Sequence, residues 1–520
     1  MSWGFAGWGV REEIQVTRYK RGLVSRDECE EENSNSGGKD VPTPPHHSTA
    51  LGQLSSTAIA GNDLLSSCLY TGGICAGYAG SLAPVALFLV SVMLYFFRSV
   101  YAEVVTAMPI NGGSYTALTN TTSKRVAALA ACMSMISYIA TAVVSAESAV
   151  QYLQLPSPLY VHALDNQTGL IAGTVIVLGI FALLNLWGIA ESASVATVMF
   201  IVHVTALIVL IGWSLTFAIE NKWAIFMDNI NSPFPDGATW SVALYFGYSS
   251  ALLGITGFET AANYVEEMKD SITYVRTLRN MWYSVAFFNP VLGLLSMAVL
   301  PLNEIYQYPL NLLGPVAKRC GGDGLEAFIV ADGVMVLCGS VLTGYVGVVG
   351  LVRRMAMDRC LPSFLLKTNK VRGTNHYIIV GFFLLAASLV TLLNGDVQML
   401  GSVYNIAFLS VMTAFAIACL ILKWKRPDLP RLVISPTYYV FLAIFFVVAG
   451  LIGNIIRAPI VLLWFFVYFG AVATVVFSMF NRTALLSVLL IVAESILATR
   501  EERKHAAERV KALIESHRLK

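Results

Sequence analysis

The sequence predicts an all-α integral membrane protein with twelve transmembrane helices. Three observations carry that prediction. The 520-residue chain is 56% hydrophobic and 13% charged, whereas soluble domains carry about 25% charged residues. From Leu51 onward the apolar residues gather into twelve spans, each long enough to cross a bilayer. The basic residues then alternate in density: of 34 Lys and Arg, 29 fall in segments that would share one face of the membrane and only four on the other, with Arg98 inside a span. That asymmetry places both termini in the cytosol.

Residues 1–50 are polar, with Glu-Glu-Asn-Ser and Pro-Thr-Pro-Pro runs that cannot build a core. No short apolar signal peptide opens the chain, and the segment is expected to be a disordered cytosolic tail. Its pair His46 and His47 reads as solvated rather than metal-binding. Residues 51–480 form the membrane domain. Its spans are 52–76, 84–107, 126–152, 170–188, 192–217, 240–265, 279–300, 327–351, 376–393, 401–422, 437–456 and 459–480. The eight cysteines lack metal-ligand spacing, and only Cys320 is expected in an outside loop, so no disulfide framework is predicted. Of the glycosylation sequons, Asn166 falls outside, while Asn120 and Asn481 fall inside.

Span one contains Gly61-Asn62-Asp63-Leu64-Leu65-Ser66-Ser67 followed by Gly72-Gly73. Asp63 lies roughly 16 Å into the span at 1.5 Å per residue. It is either the N-cap of a helix starting at Leu64 or a carboxylate facing a cavity, since acids at membrane depth are costly to bury. Span two ends in Tyr101-Ala-Glu103, followed by Met108-Pro109 and Gly112-Gly113-Ser114-Tyr115. Arg98 and Glu103 read as structural charges. Glu147 and Asp332 lie toward the outside ends of spans three and eight, as mouth residues or satisfied pairs. The corner after span four reads Asn185-Leu-Trp-Gly188-Ile-Ala-Glu-Ser192, and the loop after span eight Arg353-Arg354-Met-Ala-Met-Asp358-Arg-Cys-Leu361-Pro362.

Span six is the element around which the rest is organised. Leu252-Leu253-Gly254-Ile255-Thr256-Gly257-Phe258-Glu259 sets two glycines three apart in a lipid-length run, with an acid close behind. Glycines weaken the helix, and backbone leaves a helix at this depth only where it lines a cavity or is buried in protein. A polar exit, Asn263 to Asp270, follows.

These elements, in this order over about residues 55–480, resemble the amino acid permeases of the amino acid–polyamine–organocation superfamily. The resemblance implies a LeuT-type bundle in which spans 1–5 and 6–10 are inverted repeats and spans one and six are broken. In such bundles half-helix N-termini face anionic groups and freed carbonyls hold cations. The expected substrate site is drawn from Asn62, Asp63, Ser66, Ser67, Leu253, Ile255, Thr256, Gly257 and Glu259, with Asp63 included as an intramembrane acid where relatives carry an apolar residue. Amides around Ser66 and Ser67 would meet a carboxylate, and carbonyls around Ile255 and Thr256 an ammonium. The chain departs from the pattern at Leu65-Ser66-Ser67, where relatives carry Gly-Ser-Gly or Gly-Ala-Gly. Leu253 stands at the aromatic gate position, so either Tyr245, Phe246 or Tyr248 serves as a substitute lid or the substrate is an unusual one.

Proton-coupled members place a lysine eighteen residues after the corner asparagine; here that position is His203. With Asp63 it is the expected proton-coupling group, because histidine titrates near neutral pH. Its charge would lie beside the carbonyls of span one and polar residues of span eight such as Ser340 or Thr343.

The implied function is secondary active transport of amino acids or related amines, proton-coupled, by alternating access in a plasma membrane. The alternative is a non-transporting nutrient receptor on the same scaffold. No phosphate loop, metal-ligand set or nucleophile–base motif appears, so no enzyme activity, cofactor, metal or nucleic-acid partner is expected. Residues 481–520 read as an interfacial helix running into a cytosolic one, whose stripe of Ala506, Val510 and Leu513 suits docking or self-association.

Overall fold

The computed structural model describes residues 51–482 apart from 156–158, 189–192 and 370–371. The expected tail, His46, His47 and the C-terminal stripe lie outside the described residues. Within them the protein is helical throughout; its one β-type contact is an isolated parallel bridge between Leu51 and Met268. That bridge pins the start of span one to the exit of span six, through Leu51 N–H to Glu267 O at 2.8 Å and Lys269 N–H to Leu51 O at 3.1 Å.

Every predicted span coincides with helix. Among the described residues, ten helical runs are long and apolar enough to cross a membrane; the first, Gln53–Ala107, holds spans one and two, and the shorter His376–Leu392 is span nine. Span one consists of Gln53–Ser66 and Cys68–Ala79, and Gly80 at φ 55° ends it in a left-handed turn before Ala83–Ala107. Local chemistry sets the starts. Asn166 accepts from Gly169 N–H at 2.6 Å ahead of Gln167–Leu186, and Asp270 accepts from Thr273 N–H at 2.6 Å ahead of Ser271–Val299. The segment expected as the loop before span eight is largely helical. Leu313–Met357 runs as one 45-residue helix kinked at Gly322 (φ 73°), so Cys320 lies in helix rather than loop. The seven described cysteines are all free.

Burial separates core from periphery. Of the apolar window of Lys124–Leu153 (span three), 83% is buried, against 28% for Ala193–Glu220 (span five). Span five therefore turns most of its surface to lipid, with Ile201, Ile208 and Trp213 exposed. Its buried stripe is Ala196, His203, Leu207, Leu210 and Ser214, at helical spacing. An ionisable residue on that stripe has only protein around it.

Candidate functional site

Span six breaks where its glycines stand. The helix Trp240–Ala251 tightens into a 3₁₀ turn at Leu252–Ile255, Thr256 is extended (φ −50°, ψ 134°), and Gly257 is left-handed (φ 83°). The chain continues in 3₁₀ turns, Phe258–Asn263 and Val265–Glu267, rather than recovering the α-helix. Span one is interrupted far less than expected. Ser67 keeps helical angles (φ −65°, ψ −24°), because serine lacks the freedom of glycine and bonds back into its own helix. The Ser66 hydroxyl donates to Asp63 O at 2.8 Å, and the Ser67 hydroxyl lies 2.6 Å from Leu64 O and 2.9 Å from Gly254 O. Ser67 thus ties the bend of span one to the break of span six.

Asp63 is buried inside the helix Gln53–Ser66, whose N-cap is Gly52, so the N-cap reading is overturned. Its Oδ1 accepts from the Ser340 hydroxyl at 2.6 Å and its Oδ2 from the Thr260 hydroxyl at 3.1 Å. The Ser145 hydroxyl lies 3.1 Å from that of Ser340. One carboxylate therefore joins spans one, three, six and eight by hydrogen bonds, the arrangement that makes burying it tolerable.

His203 is fully buried between spans one and eight. Its Nδ1 is 2.7 Å from Asp332 Oδ2 and its Nε2 is 3.3 Å from Leu65 O. The span-eight partner is thus Asp332, not Ser340 or Thr343; Ser340 serves Asp63 instead. Donor and acceptor roles at the two ring nitrogens depend on the tautomer, and a doubly protonated ring can donate to both partners. Asp332 was visible as an intramembrane acid, but its register against His203 is set by helix packing across 129 positions.

The remaining expected residues divide. Ile255 and Thr256 line the break, with the Thr256 hydroxyl donating to Leu253 O at 2.5 Å. Gly254 admits Thr71 and Asn289, each 2.9 Å from where its Cβ would stand, and Asn289 Nδ2 donates to Gly254 O at 3.2 Å. Glu259 follows the break with a buried Oε2 lacking a hydrogen-bond partner, within electrostatic reach of Tyr101, Tyr138 and Tyr404. Asn62 turns away from the set, donating to Ala196 O of span five at 2.8 Å. Leu253 lines a cleft on the far side of the break from Asp63, together with Phe246, Asn405 and Arg457. Tyr245 and Tyr248 donate to Ala449 O and Phe446 O of span eleven, which leaves Phe246 as the one of the three candidate lids that lines that cleft.

The sequence motifs meet at the opposite end. Gly112 (φ 110°) and Gly113 (φ 47°) make a left-handed turn, and a Cβ on Gly113 would stand 3.0 Å from Asn263 Oδ1. Asn111 exchanges hydrogen bonds with Glu266 at 3.1 and 3.0 Å. The Tyr115 hydroxyl donates to Asp358 at 2.7 Å, joining the turn after span two to the loop after span eight. Glu103 does not pair with Arg98, which lies 5.0 Å over Tyr95 and 5.1 Å over Trp282. It pairs instead with Lys423 and Arg431, each at 2.6 Å.

Comparison with known proteins agrees with this architecture. The model of a family described as "Amino acid permease" matches residues 51–493. The chain is 24% identical over 379 residues to the branched-chain amino acid permease BcaP of Bacillus subtilis, covering 69% of this chain and 77% of that protein. It is 25% identical over 252 residues to the vacuolar cationic amino acid transporter 4 of Arabidopsis thaliana, covering 48% of this chain but only 40% of that relative's length. Crystal structures of two mutants of the Eremococcus coleocola manganese transporter share the fold. Their TM-scores are 0.53 and 0.52 at 12% and 13% identity, covering 86% of this chain and 97% of theirs. The relatives are permeases and transporters, not enzymes. The chain is a multi-pass membrane protein and belongs to the amino acid permease family.

Proposed function

We propose that this protein is a secondary active transporter of amino acids or related amines, working by alternating access and coupled to protons through His203. The observation that carries the reading is the placement of His203 between Leu65 O and Asp332. A second proton on the ring lets it hold the bend of span one against span eight through span five, and its loss leaves one of the two acceptors facing an unprotonated nitrogen. That difference is the kind of differential stabilisation needed to shift a two-state equilibrium. Asp63 links one repeat (spans one and three) to the other (spans six and eight), which suits it to sense an ammonium at the break. Carbonyls freed around Ile255 and Thr256 would receive that ammonium, and amides near Ser66 and Ser67 the carboxylate. The paired interruptions at Ser67 and Gly257 support the 5+5 inverted repeat. The basic-residue bias supports twelve crossings and cytosolic termini.

The test is initial amino acid uptake into proteoliposomes against outside pH, with and without sodium. Uptake should rise as outside pH falls from about 7.5 to 5.5 and should not require sodium. A second reading, a nutrient receptor, takes its support from the nearly helical Ser67 and from Asp63 filling the space beside Gly257. Binding of an amino acid with no uptake at any pH would favour it.

A further inference from the structure

Arg98 stands within span two, five residues before Glu103, or about 8 Å along the helix at 1.5 Å per residue. Its guanidinium lies over Tyr95 of its own helix and over Trp282 of span seven. Those two rings are 5.2 Å apart, and Tyr95 is 6.0 Å from Tyr439 at the start of span eleven. Among the described residues no carboxylate pairs with this guanidinium and no acceptor receives its five N–H donors. Charged side chains at membrane depth ordinarily face the bundle interior and pair with one another or with carbonyls. Arg98 does neither, and it is only half-buried. The protein gives this cation rings to lie on and no counter-charge.

Span seven brings a second guanidinium to the same groove. Arg279 is exposed and stands one helical turn before Trp282, toward the face that the charge bias puts inside. Among the described residues it too lacks an ion-pair partner. Phe96 packs on Tyr439 at 5.1 Å and stacks on Phe446 at 6.2 Å, so rings of spans two and eleven form the apolar wall. We propose that the groove between spans two, seven and eleven binds an anionic phospholipid of the cytosolic leaflet. Arg98 and Arg279 receive its phosphate, whose oxygens a planar guanidinium matches in two parallel hydrogen bonds. An arginine stem is long enough to carry its charge from the rings toward the headgroup level, the level at which Trp and Tyr gather. An acyl chain lies along Phe96 and Phe446. Basic pockets between helices on the cytosolic side select anionic headgroups, because a zwitterionic lipid brings an ammonium that offsets its phosphate. The site is independent of the transport reading and takes only its leaflet from the charge bias.

The test titrates delipidated full-length protein in detergent with phosphatidylglycerol or with phosphatidylcholine of the same acyl chains, and counts bound lipids by native mass spectrometry. Wild type should bind one phosphatidylglycerol more tightly than any phosphatidylcholine, and glycerol 3-phosphate, the headgroup without chains, should not displace it. Arg98→Gln should weaken that binding about tenfold, equivalent to about 1.4 kcal/mol, and Arg279→Gln should weaken it less. Arg98→Lys, which keeps the charge and loses the planar fork, should fall between wild type and Arg98→Gln. Arg125→Gln, an exposed basic residue at the start of span three, should change nothing. In nanodiscs wild type should melt higher in phosphatidylglycerol than in phosphatidylcholine. Arg98→Gln should lose that difference while keeping its melting temperature in phosphatidylcholine. Should Arg98→Gln not be recovered folded, Arg98→Lys and Arg279→Gln carry the same comparison. Equal affinity for the two lipids, displacement by glycerol 3-phosphate, or an effect of Arg125→Gln as large as that of Arg98→Gln would overturn the proposal. So would a co-purifying membrane protein that is lost in Arg98→Gln while lipid binding is unchanged, which would give the groove to an acidic partner helix.

Discussion

Gly257 stands where no other residue fits beside Asp63: a Cβ at that position would lie 2.4 Å from the carboxylate Oδ2. Its φ of 83° adds backbone strain to the collision. Gly257→Ala should therefore lower thermal stability by the ~1–3 kcal/mol typical of a non-glycine held in a sparsely populated conformation, plus the steric part. Adding Asp63→Ala should restore the steric part alone. The check is a double-mutant cycle on melting temperature; strict additivity would mean that span six moves away from Asp63 without cost.

Asp63→Asn keeps the size of the side chain and an acceptor for Ser340. The variant should fold with a melting temperature close to wild type, while the preference between neutral and cationic substrates changes. Competition uptake with lysine and leucine reads this. An unchanged substrate profile and affinity would confine Asp63 to a structural role.

Sequence reasoning reaches different depths at different residues. The break at Gly254 and Gly257 was legible because glycine conformation is local, and the place of His203 in a lipid-length span was legible from spacing. The partners were not. Asp332 is 129 positions from His203 and Arg431 is 328 from Glu103, and nothing local dictates how two apolar helices rotate against each other. The mildness of the span-one interruption was also missed. Two serines in place of glycines supply hydroxyls that complete hydrogen bonds within their own helix, so Ser67 bends the span without unwinding it.

Asp270 offers a stability prediction with a defined sign. It lies outside the spans, and its hydrogen bonds to Thr273 hold its carboxyl below the usual carboxylate range. A depressed folded-state value gives stabilisation that is present above the ordinary aspartate pKa of about 3.9 and is lost as pH falls through the lowered one. Asp270→Ala should cost about 1 kcal/mol at neutral pH, the usual value of an N-cap, and progressively less in acid. Melting temperatures at pH 7 and pH 3 would show it, and an equal deficit at both pH values contradicts the cap assignment.

Glu103 is buried and bound by Lys423 and Arg431, which are 15% and 7% exposed, and its Oε2 accepts from Ser435 N–H at 3.0 Å. Glu103→Gln leaves two nearly buried cations facing a neutral amide. Breaking such a pair costs about 3–5 kcal/mol, so the variant should melt far below wild type. Adding Arg431→Met should recover part of the loss by removing one uncompensated charge. Scanning calorimetry in detergent measures both; a Glu103→Gln protein as stable as wild type would mean that water reaches the cluster.

The pair of His203 and Asp332 yields the most specific expectation. If the ring carries the coupling proton, Asp332 stabilises the imidazolium, and Asp332→Asn removes that charge while keeping a hydrogen-bond acceptor. Half-maximal uptake should then require a more acid outside pH than in wild type. His203→Ala should flatten the pH dependence while leaving amino acid binding detectable, because the ring bonds Leu65 O and Asp332, not the carbonyls expected to meet substrate. His203→Lys keeps a titratable cation on the buried stripe. It should restore coupling with its optimum moved to higher pH, since lysine's ordinary pKa is about 10.4 against about 6.5 for histidine. In the double variant His203→Ala/Asp332→Asn the pH profile should match that of His203→Ala alone, because Asp332 acts only through the ring. Initial uptake rates across pH in proteoliposomes separate these outcomes. A wild-type profile in His203→Ala, or an unshifted one in Asp332→Asn, would remove the pair from the coupling mechanism.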